Sequence, residues 1–109
     1  MNINVSLNHI EPAWINNIIN GIVRNHIICK DGFEISVQAS EHHYCYPKET
    51  CKYHECFELL CNTDNDMDLL KNYYNYDSGI CAYVPKAVVE KLILRHGSID
   101  WNLTPRKEK

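Results

Sequence analysis

The stretch from 26 to 40, HIICKDGFEISVQAS, restricts the fold more than any other part of the chain. Its apolar residues recur at every second position, the repeat of a strand with one face buried. Phe33, Ile35, Val37 and Ala39 fall on one side, and Glu34, Ser36, Gln38 and Ser40 on the other. Lys30-Asp31-Gly32 separates two apolar runs, and glycine tolerates the positive φ that a tight turn needs. The reading is a β-hairpin in an antiparallel sheet with one covered face and one wet face.

Helical spacing flanks this region on both sides. In PAWINNIINGIVR, residues 12–24, Trp14, Ile15, Ile18, Ile19, Ile22 and Val23 recur at three- and four-residue intervals, and Pro12 suits a first helical position. PKAVVEKLILRHG, residues 85–97, is the clearest element. Pro85 opens it and Gly97 closes it, Val88, Val89, Leu92 and Ile93 form its stripe, and Glu90, Lys91 and Arg95 are expected to face water. YHECFELLC, residues 53–61, predicts another strand, with Tyr53, Phe57, Leu59 and Cys61 on one face and His54, Cys56 and Glu58 on the other. Thr63 or Asp64 is suited to cap a short helix, ICAYV predicts a last short strand, and the alternation of Ile99, Trp101 and Leu103 predicts an exposed edge strand able to pair between copies. The expected fold is therefore α+β: one domain over residues 1–104, an antiparallel sheet of about four strands with helices 12–24 and 85–96 on one face, and a flexible tail at 105–109. A chain of 109 residues suits one domain. A domain of that size buries about two-thirds of its unfolded surface, enough to fold without crosslinks.

The chemistry-bearing residues concentrate in EHHYCYPKETCKYHEC, residues 41–56, with three cysteines and three histidines. Structural zinc sites usually pair cysteines through two to four intervening residues. Here five residues separate Cys45 from Cys51 and four separate Cys51 from Cys56. Cys45, Cys51, His54 and Cys56 are the candidate ligands, because His54 and Cys56 would share the wet strand face and the loop before them could fold over it. The alternative is that Cys29, Cys61 and Cys81 serve as small core residues and the others bind nothing. Asp64, Asp66 and Asp68 match the first three positions of a calcium loop, but Leu69 and Asn75 stand where that loop needs glycine and glutamate. No nucleophile elbow, phosphate loop or HExxH run is present, so no enzymatic activity and no resident cofactor is expected.

Charge and export signals narrow the function further. MNINVSLNHIEP has neither a basic n-region nor an apolar h-region, so a signal peptide is not expected and the six cysteines are expected to be reduced in a cytoplasm. No apolar run approaches the roughly 20 residues that span a bilayer. The net charge is −3. Residues 55–77 carry six acids against one base, whereas residues 86–109 carry six bases and three acids. That balance disfavours direct nucleic-acid binding, which calls for a strong basic face. All seven tyrosines lie between residues 44 and 83. Tyrosine is enriched at the energetic centres of interfaces. The segment holding Asp64, Asp66, Asp68, Tyr73, Tyr74 and Tyr76 is thus the expected contact surface for a partner with a basic surface.

Three stretches together, EISVQASEHHYCYP, YHECFELLC and AYVPKAVVEKLILRHGSI, resemble small accessory proteins of phages and prophages of low-GC Gram-positive bacteria, over residues 33–99. Ser98 stands where a second glycine is usual, and the cysteine-rich strand departs from a plainer one, so no ligand set carries over. The resemblance implies a bacterial host cytoplasm and a non-catalytic inhibitor of a host defence protein, with an anti-CRISPR protein blocking a CRISPR effector as the leading case. The alternative is a small zinc-stabilised binding module of a phage or mobile element.

Overall fold

The computed structural model describes residues 1–9, 12–14 and 22–105. Its elements run α1 (Ile3–His9), β1 (Pro12–Trp14), β2 (Ile22–Arg24), β3 (Ile27–Ile28), β4 (Glu34–Gln38), β5 (Cys56–Cys61), α2 (Met67–Leu70), β6 (Cys81–Pro85) and α3 (Lys86–Arg95). Strands β3-β4-β5-β6 form one antiparallel sheet in that order, and β1 pairs with β2 separately. The result is the expected α+β domain, with a four-stranded antiparallel sheet and helices. None of the described helices is long and apolar enough to cross a membrane.

The hairpin forms as its sequence dictates. Ile27 pairs with Ile35 and Ile28 with Glu34. The Gly32 N–H donates to the Cys29 carbonyl and the Cys29 N–H to the Phe33 carbonyl, closing a three-residue loop with Gly32 at φ 93°. Asp31 Oδ1 accepts the Phe33 N–H inside the turn. Ile35, Val37 and Ala39 enter the core with Phe57 and Leu59 of β5 and Val84 of β6. Val89, Leu92 and Ile93 of α3 close over them, with Ile3 and Leu7 of α1 in the same cluster. Helix α3 starts after Pro85 and ends before Gly97, whose φ of 89° is the left-handed conformation that favours glycine past a helix end.

Four expectations are corrected. The ends of the expected helix 12–24 are strands instead, paired Pro12 to Arg24, Ala13 to Val23 and Trp14 to Ile22. Ile22 and Val23 are β-branched, which favours extended backbone over helix. Residues 15–21 of that expectation lie outside the described residues, as does the tail beyond residue 105. Helix α1 was not foreseen. It is held at its start by Glu90, whose carboxylate accepts the Ile3 N–H at 2.6 Å, so Glu90 of α3 is not simply a solvated charge.

The second face of β4 is wet only at Glu34: Ser36, Gln38 and Ser40 are all buried. The Gln38 side chain bonds the backbone of Arg24, its Oε1 accepting the Arg24 N–H at 2.7 Å and its Nε2 donating to the Arg24 carbonyl at 2.8 Å. A buried amide is tolerable because both ends are matched. Nor is there an edge strand at 99–103. Ile99 makes a single bridge to Cys29 and the chain then turns around Asp100, whose carbonyl accepts the Leu103 and Thr104 N–H groups. The Thr104 hydroxyl accepts the Ile28 N–H and donates to the Ile28 carbonyl, closing the outer side of β3 that a paired copy would need.

A charged cluster ties the ends of these elements together. His96, at the end of α3, places Nδ1 2.6 Å from Asp31 Oδ2 and Nε2 2.8 Å from Asp66 Oδ2. Carboxylates only accept hydrogen bonds, so both ring nitrogens carry protons and the ring is an imidazolium. It stacks on Phe33 with centroids 3.8 Å apart. Arg95 reaches Asp66 at 3.2 Å and grips Asp68 with two bonds of 2.8 and 2.9 Å.

Burial works against the His96 charge, but the bonds to Asp66 and Asp31 outweigh it and raise the pKa. His96 therefore holds its proton more tightly folded than unfolded. That stabilisation is complete below the unfolded value, about 6.5 for histidine, and is lost as pH rises through the folded value. The backbone bond from Phe33 chiefly lowers the Asp31 pKa, and the bond from Arg95 lowers that of Asp68. Their contribution is present above about pH 3.9, the ordinary aspartate value, and lost on acidification. Thermal melts should therefore show falling stability above neutrality, and His96→Gln should flatten that alkaline limb. Asp66→Asn should destabilise by about 3 kcal/mol in denaturant titration, the low end for breaking a buried pair, because Arg95 remains partly in water.

Candidate interaction surface

The expected contact surface is divided by the fold. Asp66 is 1% exposed and its carboxylate is shared between His96 and Arg95. It stands at the N-cap position of α2 but makes no cap bond there. Asp68 is exposed yet paired with Arg95. Tyr73 and Tyr74 are partly buried against the core. Only Asp64 and Tyr76 of the six stand clear of the domain, Tyr76 at 78% exposure. The sequence placed a basic residue, Arg95, on the solvent face of α3. Its pairing with these aspartates is what removes them from the free surface.

The candidate metal residues are also separated. The Cys45 thiol is buried and donates to the Ser40 carbonyl at 3.2 Å. Cys56 lies within β5. Cys51 and His54 do meet, Sγ to Nε2 at 3.6 Å. However, His54 Nε2 lies 2.8 Å from the Glu49 carbonyl, which can only accept, so that nitrogen carries a proton and has no lone pair to offer. Among the described residues no three His, Cys, Asp or Glu side chains converge as a metal site. The His54 backbone is meanwhile clamped by Asn4 of α1, which accepts its N–H at 2.7 Å and donates to its carbonyl at 2.9 Å.

All six cysteines are unpaired. Burial pushes the Cys29 thiol up to about 11 and the Cys61 thiol up to about 12. It also raises Cys45, Cys56 and Cys81. These five are thiols at neutral pH, poor as nucleophiles and packed as small apolar side chains.

A different surface emerges around β6. The β5–β6 ladder pairs Cys56 with Pro85 and Phe57 with Val84, then Leu59 with Cys81. Glu58 thus faces both Ala82 and Tyr83, which makes β6 bulged. Tyr83 adopts φ 54°, a left-handed conformation rare for a residue with a side chain. Its N–H donates to the Tyr44 carbonyl at 3.0 Å, and the Ala82 N–H donates to the Tyr73 carbonyl. Tyr74 bridges Cys81, and Tyr46 bridges Cys56.

Loop 41–55 thus reaches β6 through the Tyr44 carbonyl while its Tyr46 pairs with β5, and segment 73–76 reaches β6 through the Tyr73 carbonyl and the Tyr74 bridge. The rings of Tyr44 and Tyr83 stand 6.1 Å apart at 53° and are each about half exposed, at 50% and 48%. Tyr74 and Tyr76 form an edge-to-face pair at 4.8 Å. The sequence signalled this band only through its crowding of tyrosines. Which of them would face water depended on the bulge.

Backbone strain at Tyr83 gives a direct check. Left-handed φ at a non-glycine residue costs about 1–3 kcal/mol. Tyr83→Gly should leave the denaturation midpoint unchanged or raised, since lost ring contact and relieved strain offset. Tyr83→Val, β-branched and least tolerant of positive φ, should lower stability by about 1–2 kcal/mol. No family model matches the sequence, and comparison with curated proteins and with solved structures finds no relative of this chain.

Proposed function

We propose that this chain is a non-catalytic binding protein, a phage-derived inhibitor that occludes a basic surface on a host defence protein, with the nucleic-acid groove of a CRISPR effector as the leading target. The observation that carries the reading is the half-exposed Tyr44–Tyr83 pair at a strained bulge of β6. Tyrosine supplies large contact area with a polar tip and little rotamer freedom to lose, which suits an interface. A soluble domain does not need exposed aromatic rings for its own stability. A strained backbone that aims one of them outward is a cost that points to use.

Charge supports the same reading. The chain carries −3 overall, and the pairing of Arg95 with Asp66 and Asp68 leaves Asp64 as the exposed acid of the original patch that Arg95 does not engage. Such a surface favours a basic partner over nucleic acid, whose phosphates it would repel. The tyrosines then provide affinity and the carboxylates orientation. Asp64, Tyr76, Tyr44 and Tyr83 are the residues assigned to contact.

The test compares wild-type bait with a Tyr44→Ser/Tyr76→Ser/Tyr83→Gly variant in host lysate, identifying captured protein by mass spectrometry. The variant spares Asp66 and the His96 cluster, so its fold is checked independently by thermal melt. The wild type should retain one basic, nucleic-acid-handling protein that the variant loses, and retention should weaken as salt rises. Equal capture by both baits, or turnover of a substrate by the purified chain, removes the proposal.

A further inference from the structure

The turn that leads into Tyr44 is held by one buried hydroxyl. Ser40 is 0% exposed, and its Oγ accepts the His42 N–H at 3.1 Å. The hydroxyl's own proton then needs an acceptor, because a buried donor left unmatched is costly. Among the described residues, His43 Nδ1 is the acceptor it meets, 2.6 Å away. Nδ1 therefore offers its lone pair, and His43 is the neutral ring with its proton on Nε2. Tyr44 follows directly. Its N–H donates to Glu58 Oε1 at 3.1 Å, and its carbonyl accepts the Tyr83 N–H at 3.0 Å.

We propose that His43 is a proton-operated latch on the Tyr44–Tyr83 pair: neutral, it holds the turn through Ser40, and protonated, it leaves Ser40 for Glu58 and loosens Tyr44. A proton taken from water onto Nδ1 makes both ring nitrogens donors. Ser40 Oγ can accept from that ring, but its own proton is then stranded in the core. Glu58 is the negative group that acts on His43, and a carboxylate binds an imidazolium more strongly than a hydroxyl does. The same carboxylate holds the Tyr44 N–H, so the charged ring competes with Tyr44 for it.

The groups facing the ring set the direction. Burial lowers the His43 pKa from its ordinary value, Glu58 of β5 opposes this, and Arg24 of β2 and the neighbouring His42 add to the lowering. The hold on the turn is thus complete above about pH 6.5, the ordinary histidine value, and is lost as pH falls through the folded value. His96 carries the opposite sign, so a whole-domain melt mixes the two and the latch calls for a local readout. The reading of the tyrosine pair as a binding surface is needed only for what the latch regulates.

NMR of the whole chain, titrated from about pH 7.5 to about pH 5, follows the ring signals of His43, Tyr44 and Tyr83 across the histidine range. In the wild type all three should move with one midpoint, below about 6.5. His43→Asn keeps an acceptor oxygen near the place of Nδ1 and does not titrate. With its fold checked by thermal melt, its Tyr44 and Tyr83 signals should stay still over the same range. Ser40→Ala removes the hydroxyl and should move the His43 midpoint up, toward about 6.5. It keeps the test open if His43→Asn perturbs the turn.

The latch is overturned if the wild-type tyrosine signals ignore the His43 titration, if they move equally in His43→Asn, or if Ser40→Ala leaves the midpoint where it was. Should that occur while the triple tyrosine variant still loses its captured partner, the binding surface stands and only the latch falls. If the triple variant captures as well as the wild type, the binding surface falls, and the ring signals decide the latch by themselves.

Discussion

A single protonated imidazole holds three parts of this domain in register. His96 ends α3, Asp31 belongs to the β3–β4 turn, and Asp66 opens α2. Each ring nitrogen meets one carboxylate, and the ring face lies on Phe33. An ion buried this far is tolerable only if its charge and both its protons are matched. That condition fixes the position of all three segments at once. It also explains why Asp66 leaves the α2 backbone uncapped: its two oxygens are committed to His96 and Arg95. A four-residue helix has little stability of its own, so α2 stands by this ion cluster and by the burial of Leu70.

Polar side chains also replace backbone pairing where strands run out. Gln38 presents its amide to both backbone groups of Arg24, tying β2 to the main sheet. Asn4 does the same for His54, fastening α1 to the loop before β5. Thr104 serves the Ile28 backbone with one hydroxyl. Buried peptide groups must be paired with something, and a small sheet of short strands has many that its own ladders do not reach. Among the described residues, no buried side-chain nitrogen or oxygen lacks a partner. The β3 edge is closed by Thr104 in this way instead of by another strand.

Local rules were legible in the sequence and distant matches were not. The 30–32 turn and α3 announce themselves through spacing, a glycine at each turn or end, and a proline at the start of the helix. Helix α1 offers only Ile3 and Leu7 at four-residue spacing, too little periodicity to separate from a polar start. The 12–24 segment carries helical spacing on β-branched residues, and at its described ends the extended preference prevails. The burial of Gln38 depended on that outcome, since a solvated glutamine and one paired to a neighbouring strand look alike in sequence. The partners of His96 lie 65 and 30 residues away, so nothing near it marks it as an ion. The aspartates after residue 63 looked like a free acidic patch for the same reason, because Arg95 closes on them from another element.

The same long-range matching decides which surface is available for recognition. Ion pairing withdraws Asp66 and Asp68 from the outside, so negative charge alone does not define the contact surface. The tyrosines are withdrawn unequally: Tyr73 and Tyr74 pack against the core while Tyr44, Tyr46, Tyr53, Tyr76 and Tyr83 remain in water. For Tyr83 this is not a by-product of packing. Glycine or asparagine would occupy φ 54° with less strain, and neither would place a ring beside Tyr44. A tyrosine there trades backbone ease for an outward aromatic face that the core does not use. At that φ, backbone stability by itself would favour the smaller residue.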